Sequence, residues 1–202
     1  GMSGQILHSA AGEEDQELSH VHAAWELSSG GRLLFRDPRR FGGLWALPSR
    51  AALDSRWAAL GPDALEIDPE SLADALAGSQ RTIKAALLDQ AVLAGVGNIY
   101  ADEALFLAKV LPRQRAGALK PAAVERLAKS IREVLQTSID SGGSTLRDYV
   151  DANRRRGSYQ ASRWVYGRGG EPCLRCGTVL KSALVAQRTT TWCPACQQRK
   201  GS

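Results

Sequence analysis

Four cysteines carry the clearest chemical signal in this sequence. Cys173 and Cys176 form one C-x2-C pair, Cys193 and Cys196 form a second, and sixteen residues separate the two. Paired thiolates at this spacing are the ligand pattern of a four-thiolate zinc ribbon. The spacer suits a β-hairpin, and Gly177 and Pro194 suit the tight turns that aim each pair at one ion. Sulfur would fill all four positions, so the spacing predicts one structural Zn2+ per chain rather than a catalytic one. A module this small needs its metal to fold. Two disulfides are the competing assignment. No basic-then-apolar N-terminal segment is visible, which favours reduced thiols in a cytoplasmic setting.

Three other clusters could touch a polyanion. Between the cysteine pairs, Gln187-Arg188-Thr189-Thr190-Thr191-Trp192 sets an arginine among hydroxyls on the metal-fixed hairpin, which suits a phosphate or base contact or a plain surface strand. Asp37-Pro38-Arg39-Arg40-Phe41-Gly42 puts two guanidiniums and an aromatic ring on a turn. Such a turn can wedge between bases, or it can simply connect two strands. Gly95-Val96-Gly97-Asn98 opens a helix whose free N–H groups could take phosphate, with Lys84 adding charge from the preceding helix. The net charge is +5. Residues 146–202 carry eleven Lys/Arg against three Asp/Glu, so the whole basic excess lies in that last stretch. A basic end on an otherwise neutral chain points to nucleic acid. No apolar run reaches the ~18–20 residues that a membrane helix needs.

These groups must be held by an α+β chain. His20–Leu27 and Arg32–Arg36 read as strands joined by Ser28–Gly31, and Gly42–Leu47 reads as a third. Three strands are too few for an independent two-faced sheet. From about Ala51 to Gly142 the pattern is helical. One helix is expected over Ser79–Gln90. A second is expected over Asn98–Ala108, with Asn98 as its N-cap. A third begins near Pro121 and stops at Gly142-Gly143. The expected segments are 1–50 (β), 51–165 (helical) and 166–202 (cysteine module).

Read in order, Gly1-Met2-Ser3-Gly4, Asp37–Gly42, Gly95–Ala101, Tyr166-Gly167-Arg168, the four cysteines and Gln187-Arg188 resemble the formamidopyrimidine-DNA glycosylase family, which includes the endonuclease VIII branch. The resemblance runs from Gly1 to about Gln198. It implies strands of a partial N-terminal β-sandwich, a helix–two-turns–helix domain and a C-terminal zinc-ribbon hairpin. By the same resemblance Met2, Arg39 and Phe41 form the wedge that fills the gap left by an everted base. Lys84, Asn98 and Arg188 contact phosphate, and His22 falls in a histidine pair near the DNA backbone. Asp151–Arg163 corresponds to a loop over the everted base. The wedge Arg and Phe share one loop, which favours the formamidopyrimidine branch. Relatives of that branch excise oxidised purines and cut the strand by elimination, through an N-terminal proline amine with an adjacent glutamate and a further lysine. This sequence starts at the wedge methionine, so no catalytic residue is assigned in it. The expected partner is double-stranded DNA with an oxidised base or abasic site. A homodimer through exposed β-strands is a further expectation. The alternative is a non-catalytic, lesion-recognising truncation or paralogue.

Overall fold

A computed structural model describes residues 4–12, 18–144, 152 and 157–198. The wedge candidate Met2 lies outside them, as does most of the 151–156 stretch. The chain forms two compact units, one of Gly1–Pro48 with Ser138–Ser162 and one of Ser49–Thr137 with Arg163–Ser202. The part of the expected helical segment up to Thr137 therefore shares a unit with the cysteine module, while Ser138–Ser162 falls in the first unit.

In the first unit, β1 (Gln5–Ser9), β2 (Val21–Glu26) and β3 (Arg32–Arg36) form an antiparallel sheet with β3 in the middle. The β2–β3 hairpin is where the sequence places it, and Gly30 takes the left-handed conformation its turn requires (φ +82°). The third strand differs. Gly42–Leu47 belongs to no strand, and Gln5–Ser9 pairs with β3 instead. In β1 the buried positions are Gln5, Leu7 and Ser9, while Ile6 faces out. Its polar-in pattern is the reverse of an ordinary half-buried strand, so alternation did not flag it.

The second unit begins with α1 (Arg50–Trp57) and α2 (Pro69–Leu76), capped by Ser49 and Asp68. Then come α3 (Ile83–Leu87) and α4 (Asn98–Leu107). The helix expected over Ser79–Gln90 shrinks to α3 because its first residues pair elsewhere. The N–H of Ala116 bonds to Arg81 O and that of Gly117 to Ser79 O, while Thr82 Oγ1 caps the helix at Ala85 N. Two turns link α3 to α4. Gln90 staples them, its Oε1 accepting from Gly95 N and its Nε2 donating to Val96 O. Leu87, Leu93, Leu105 and Phe106 are fully buried around these turns. The 20-residue helix α5 (Pro121–Asp140) runs on to Gly142 and Gly143, both at positive φ. The strands β4 (Lys181–Val185) and β5 (Arg188–Trp192) form the C-terminal hairpin.

Candidate nucleic-acid interface and metal centre

The four cysteines are free thiols whose sulfurs all lie within 4.8 Å of one another. Cys176 Sγ is 3.5 Å from the sulfurs of both Cys193 and Cys196, far longer than the ~2.05 Å of a disulfide. A tetrahedral ion with Zn–S bonds of about 2.3 Å places its sulfurs about 3.8 Å apart, so this donor set fits one zinc ion. Backbone geometry builds the knuckles. Gly177, at φ +74°, donates its N–H to Cys173 O, and Cys196 N donates to Cys193 Sγ. Bonds to Thr178 pull the Cys176 thiol down to about 6, whereas burial pushes Cys196 up to about 12. Zinc must displace the Cys196 proton to bind there.

Buried polar groups seat this module on α4. Two adjacent acids, Asp102 and Glu103, are fully buried in that helix. Glu103 accepts three consecutive backbone N–H groups, from Trp164 (2.7 Å), Val165 (2.9 Å) and Tyr166 (2.8 Å). Burial still pushes its carboxyl above the usual range. Asp102 accepts from Lys84 Nζ and from Thr191 N (3.0 Å). Burial outweighs the lysine's attraction, so Asp102 is pushed up to about 6 and Lys84 down from its ordinary value. Gln197, also buried, accepts from Cys193 N and donates to Val110 O. Phe106, Val165, Leu180, Cys173 and Cys193 close the apolar side of the joint. Sequence reasoning missed Asp102, Glu103 and Gln197. The detectable signal was a pair of acids inside the otherwise apolar run Asn98–Ala108.

The expected phosphate contacts separate. Asn98 is the first residue of α4 rather than its cap. Gly97 is the N-cap and makes no side-chain cap bond. Asn98 instead donates from Nδ2 to Thr189 O (3.2 Å), ninety-one residues away, beside the exposed Arg188. The helix start, whose first N–H groups have no intrahelical acceptor, thus lies against the hairpin strand that begins at Arg188. Lys84 is corrected. Its side chain is 0% exposed and its ammonium is held by Asp102, so it does not present a charge to phosphate. Its place is internal because α3 packs that face against α4.

The hairpin tip is strained. Ala186 and Gln187 both take positive φ (+52° and +58°), the two-residue turn that favours Asn-Gly. Ala186→Gly is expected to stabilise the zinc-loaded chain by about 0.5–1 kcal/mol, the scale of relieving an alanine held at positive φ. A thermal denaturation midpoint that falls would refute this.

In the first unit the Asp37–Gly42 turn is built firmly. Buried Asp37 takes Gly42 N on Oδ2 (2.6 Å), and its carbonyl receives Arg40 N (3.2 Å) and contacts His22 Nε2 (3.0 Å). His22 therefore supports the turn. Arg40 adopts φ +53°. Phe41 is 63% exposed, and the Arg39 guanidinium lies 4.7 Å from its ring centre. The result is an exposed aromatic carrying a cation on its face.

Comparison with known proteins fits this geometry. Residues 59–150 match the model of the formamidopyrimidine-DNA glycosylase H2TH domain, and residues 170–199 match the zinc finger found in FPG and IleRS. A formamidopyrimidine-DNA glycosylase of Chloroflexus aurantiacus is 46% identical over 200 residues, covering 97% of this chain and 70% of the relative. One from Symbiobacterium thermophilum is 44% identical, with 97% and 65% covered. Among solved structures, the MutM (Fpg) protein of Thermus thermophilus superposes with a TM-score of 0.85 at 39% identity, over 98% of this chain and 73% of that one. The Lactococcus lactis Fpg in complex with abasic-site DNA superposes with the same score at 34% identity and the same coverage. Identity at this level, running through both the helical and the zinc-ribbon segments, leaves one assignment: the chain belongs to the formamidopyrimidine-DNA glycosylase family.

Proposed function

We propose that this chain is the DNA-holding portion of a formamidopyrimidine-type DNA glycosylase and AP lyase, acting in the cytoplasm on duplex DNA with an oxidised base or abasic site. The observation that carries this reading is the Asn98–Thr189 bond, which joins the start of α4 to the strand led by Arg188. Helix N–H groups, the second Nδ2 hydrogen of Asn98 and a guanidinium together suit a phosphate oxygen. Arg39 and Phe41 supply the wedge, and with no donor of its own Phe41 can only fill space between bases. The relatives' names and the complexes of the Lactococcus lactis protein with abasic-site and Fapy-dG DNA support this substrate class. The excision chemistry is assigned to the family, and a polypeptide of these 202 residues alone is proposed to bind without cutting.

Arg188→Ala tests the reading. Binding to abasic-site duplex should weaken by roughly 1–3 kcal/mol, and the slope of log affinity against log salt should flatten by about one unit. An unchanged slope rejects Arg188 as a phosphate contact.

A second copy of the chain is proposed to cover the first unit's apolar surface. Ile6, Trp25 and Trp45 are each more than 40% exposed there, and such surfaces favour association. Sedimentation should detect a dimer, and a monomer at high micromolar concentration overturns the idea.

A further inference from the structure

The geometry points to Asp102 as the residue that positions the Arg188 tip of the β4–β5 hairpin against α4, with Lys84 as its counter-ion. This inference rests on the proposed phosphate role of Arg188. Asn98 and Asp102 lie four residues apart on α4, a rise of about 6 Å. Their partners on β5 are Thr189 O and Thr191 N, on residues whose Cα atoms are about 6.6 Å apart along the strand. One helical turn therefore matches one strand repeat.

The hairpin register explains why those two backbone groups are available. Val185 and Arg188 flank a two-residue turn, so they pair with mutual hydrogen bonds, as do Ala183 with Thr190 and Lys181 with Trp192. Thr189 and Thr191 then turn their backbone groups away from β4. The side chains of Ser182 and Thr191 meet at 3.0 Å, as expected for the closer, non-bonded pairs. The two side chains of α4 thus stand in for a third strand along this edge. Asp102 is the rigid member of the two. It is fully buried, both its oxygens are engaged, and the ammonium that balances its charge comes from a third element, α3. A one-residue slip of β5 would replace the outward N–H of Thr191 with a group already paired to β4. That would leave a buried carboxylate oxygen without its donor, a costly arrangement. Asp102 thereby fixes where Arg188, three residues up the strand, emerges.

The test uses variants of the full chain that never strand a lone buried charge. Lys84→Met with Asp102→Asn keeps an acceptor for Thr191 N–H. Lys84→Met with Asp102→Leu removes it. Both are loaded with zinc. If the leucine form does not load, Asp102→Ser, whose side chain is too short to reach Thr191, replaces it under the same criteria. Amide exchange at Thr191 should be at least about tenfold faster in the acceptor-less variant than in the asparagine variant. Its affinity for abasic-site duplex should fall about tenfold, with the salt slope flatter by about one unit. Adding Arg188→Ala should then cost nothing further, although it should cost the full effect in the asparagine variant. Equal exchange in the two variants, or an undiminished Arg188→Ala effect without the acceptor, overturns the proposal. Should Arg188→Ala leave the slope unchanged in the unaltered chain, the phosphate reading fails instead, and the exchange comparison alone decides the role of Asp102.

Discussion

Removing zinc from the chain with a strong chelator should unfold residues 170–198 and reduce affinity for abasic-site duplex by at least about tenfold, the scale of losing a charge-assisted contact. The sheet is a single two-stranded hairpin, which is marginal alone in water. A structural four-sulfur site contributes about 10–16 kcal/mol of apparent binding free energy, and that energy is folding energy. The loss should spread inward, because Cys173 and Cys193 are themselves buried with Phe106, Val165 and Leu180. Trp164, stacked on Phe106 at 5.8 Å, and Trp192, with Arg113 above its ring, should shift their emission to the red. Metal analysis should find one zinc per chain. Cys193→Ala should reproduce the chelator's effect. Unchanged emission and DNA binding in the metal-free protein would refute the structural role.

Borohydride trapping of a polypeptide of these 202 residues on abasic-site duplex should yield no covalent adduct above background, while binding persists. Schiff-base chemistry needs an activated amine and a positioned proton carrier. Burial lowers the pKa of Lys84, but its side chain is 0% exposed and bound to Asp102, so it cannot reach DNA. The proposed phosphate and wedge contacts would position DNA without breaking a bond. Loss of a catalytic unit in well-studied enzymes costs on the order of 10^6 in rate, so trapping at even about a thousandth of a full relative's rate would overturn this expectation. It would assign the nucleophile to Gly1 or to another amine of the chain. The same experiment separates a lesion-binding protein from a working glycosylase.

Much of the site was legible because it is local. The zinc ligands follow from two short spacings, and the ribbon's turns are fixed by Gly177 and its neighbours. The Asp37–Gly42 turn announces itself through Asp, Pro and Gly within six residues. The β2–β3 hairpin and the stop of α5 at Gly142-Gly143 rest on the same turn chemistry. Pattern alone misjudged elements whose hydrogen bonds run to distant partners. Ser79–Thr82 looked helical until residues 115–117 claimed its backbone. Gln5–Ser9 carries no favourable alternation and became a strand through β3.

The sequence by itself therefore determined the metal and the family, because ligand spacing, turn residues and ordered motifs act over a few residues at a time. Tertiary structure alone decided what the polar and charged residues of α3 and α4 do. Lys84 reads as a phosphate contact until Asp102, eighteen residues on, takes its ammonium into the interior. Asn98 reads as a helix cap until Thr189, ninety-one residues on, takes its amide. A charge is a surface contact or a buried strut according to what packs over it, and burial is set by elements far apart in the chain.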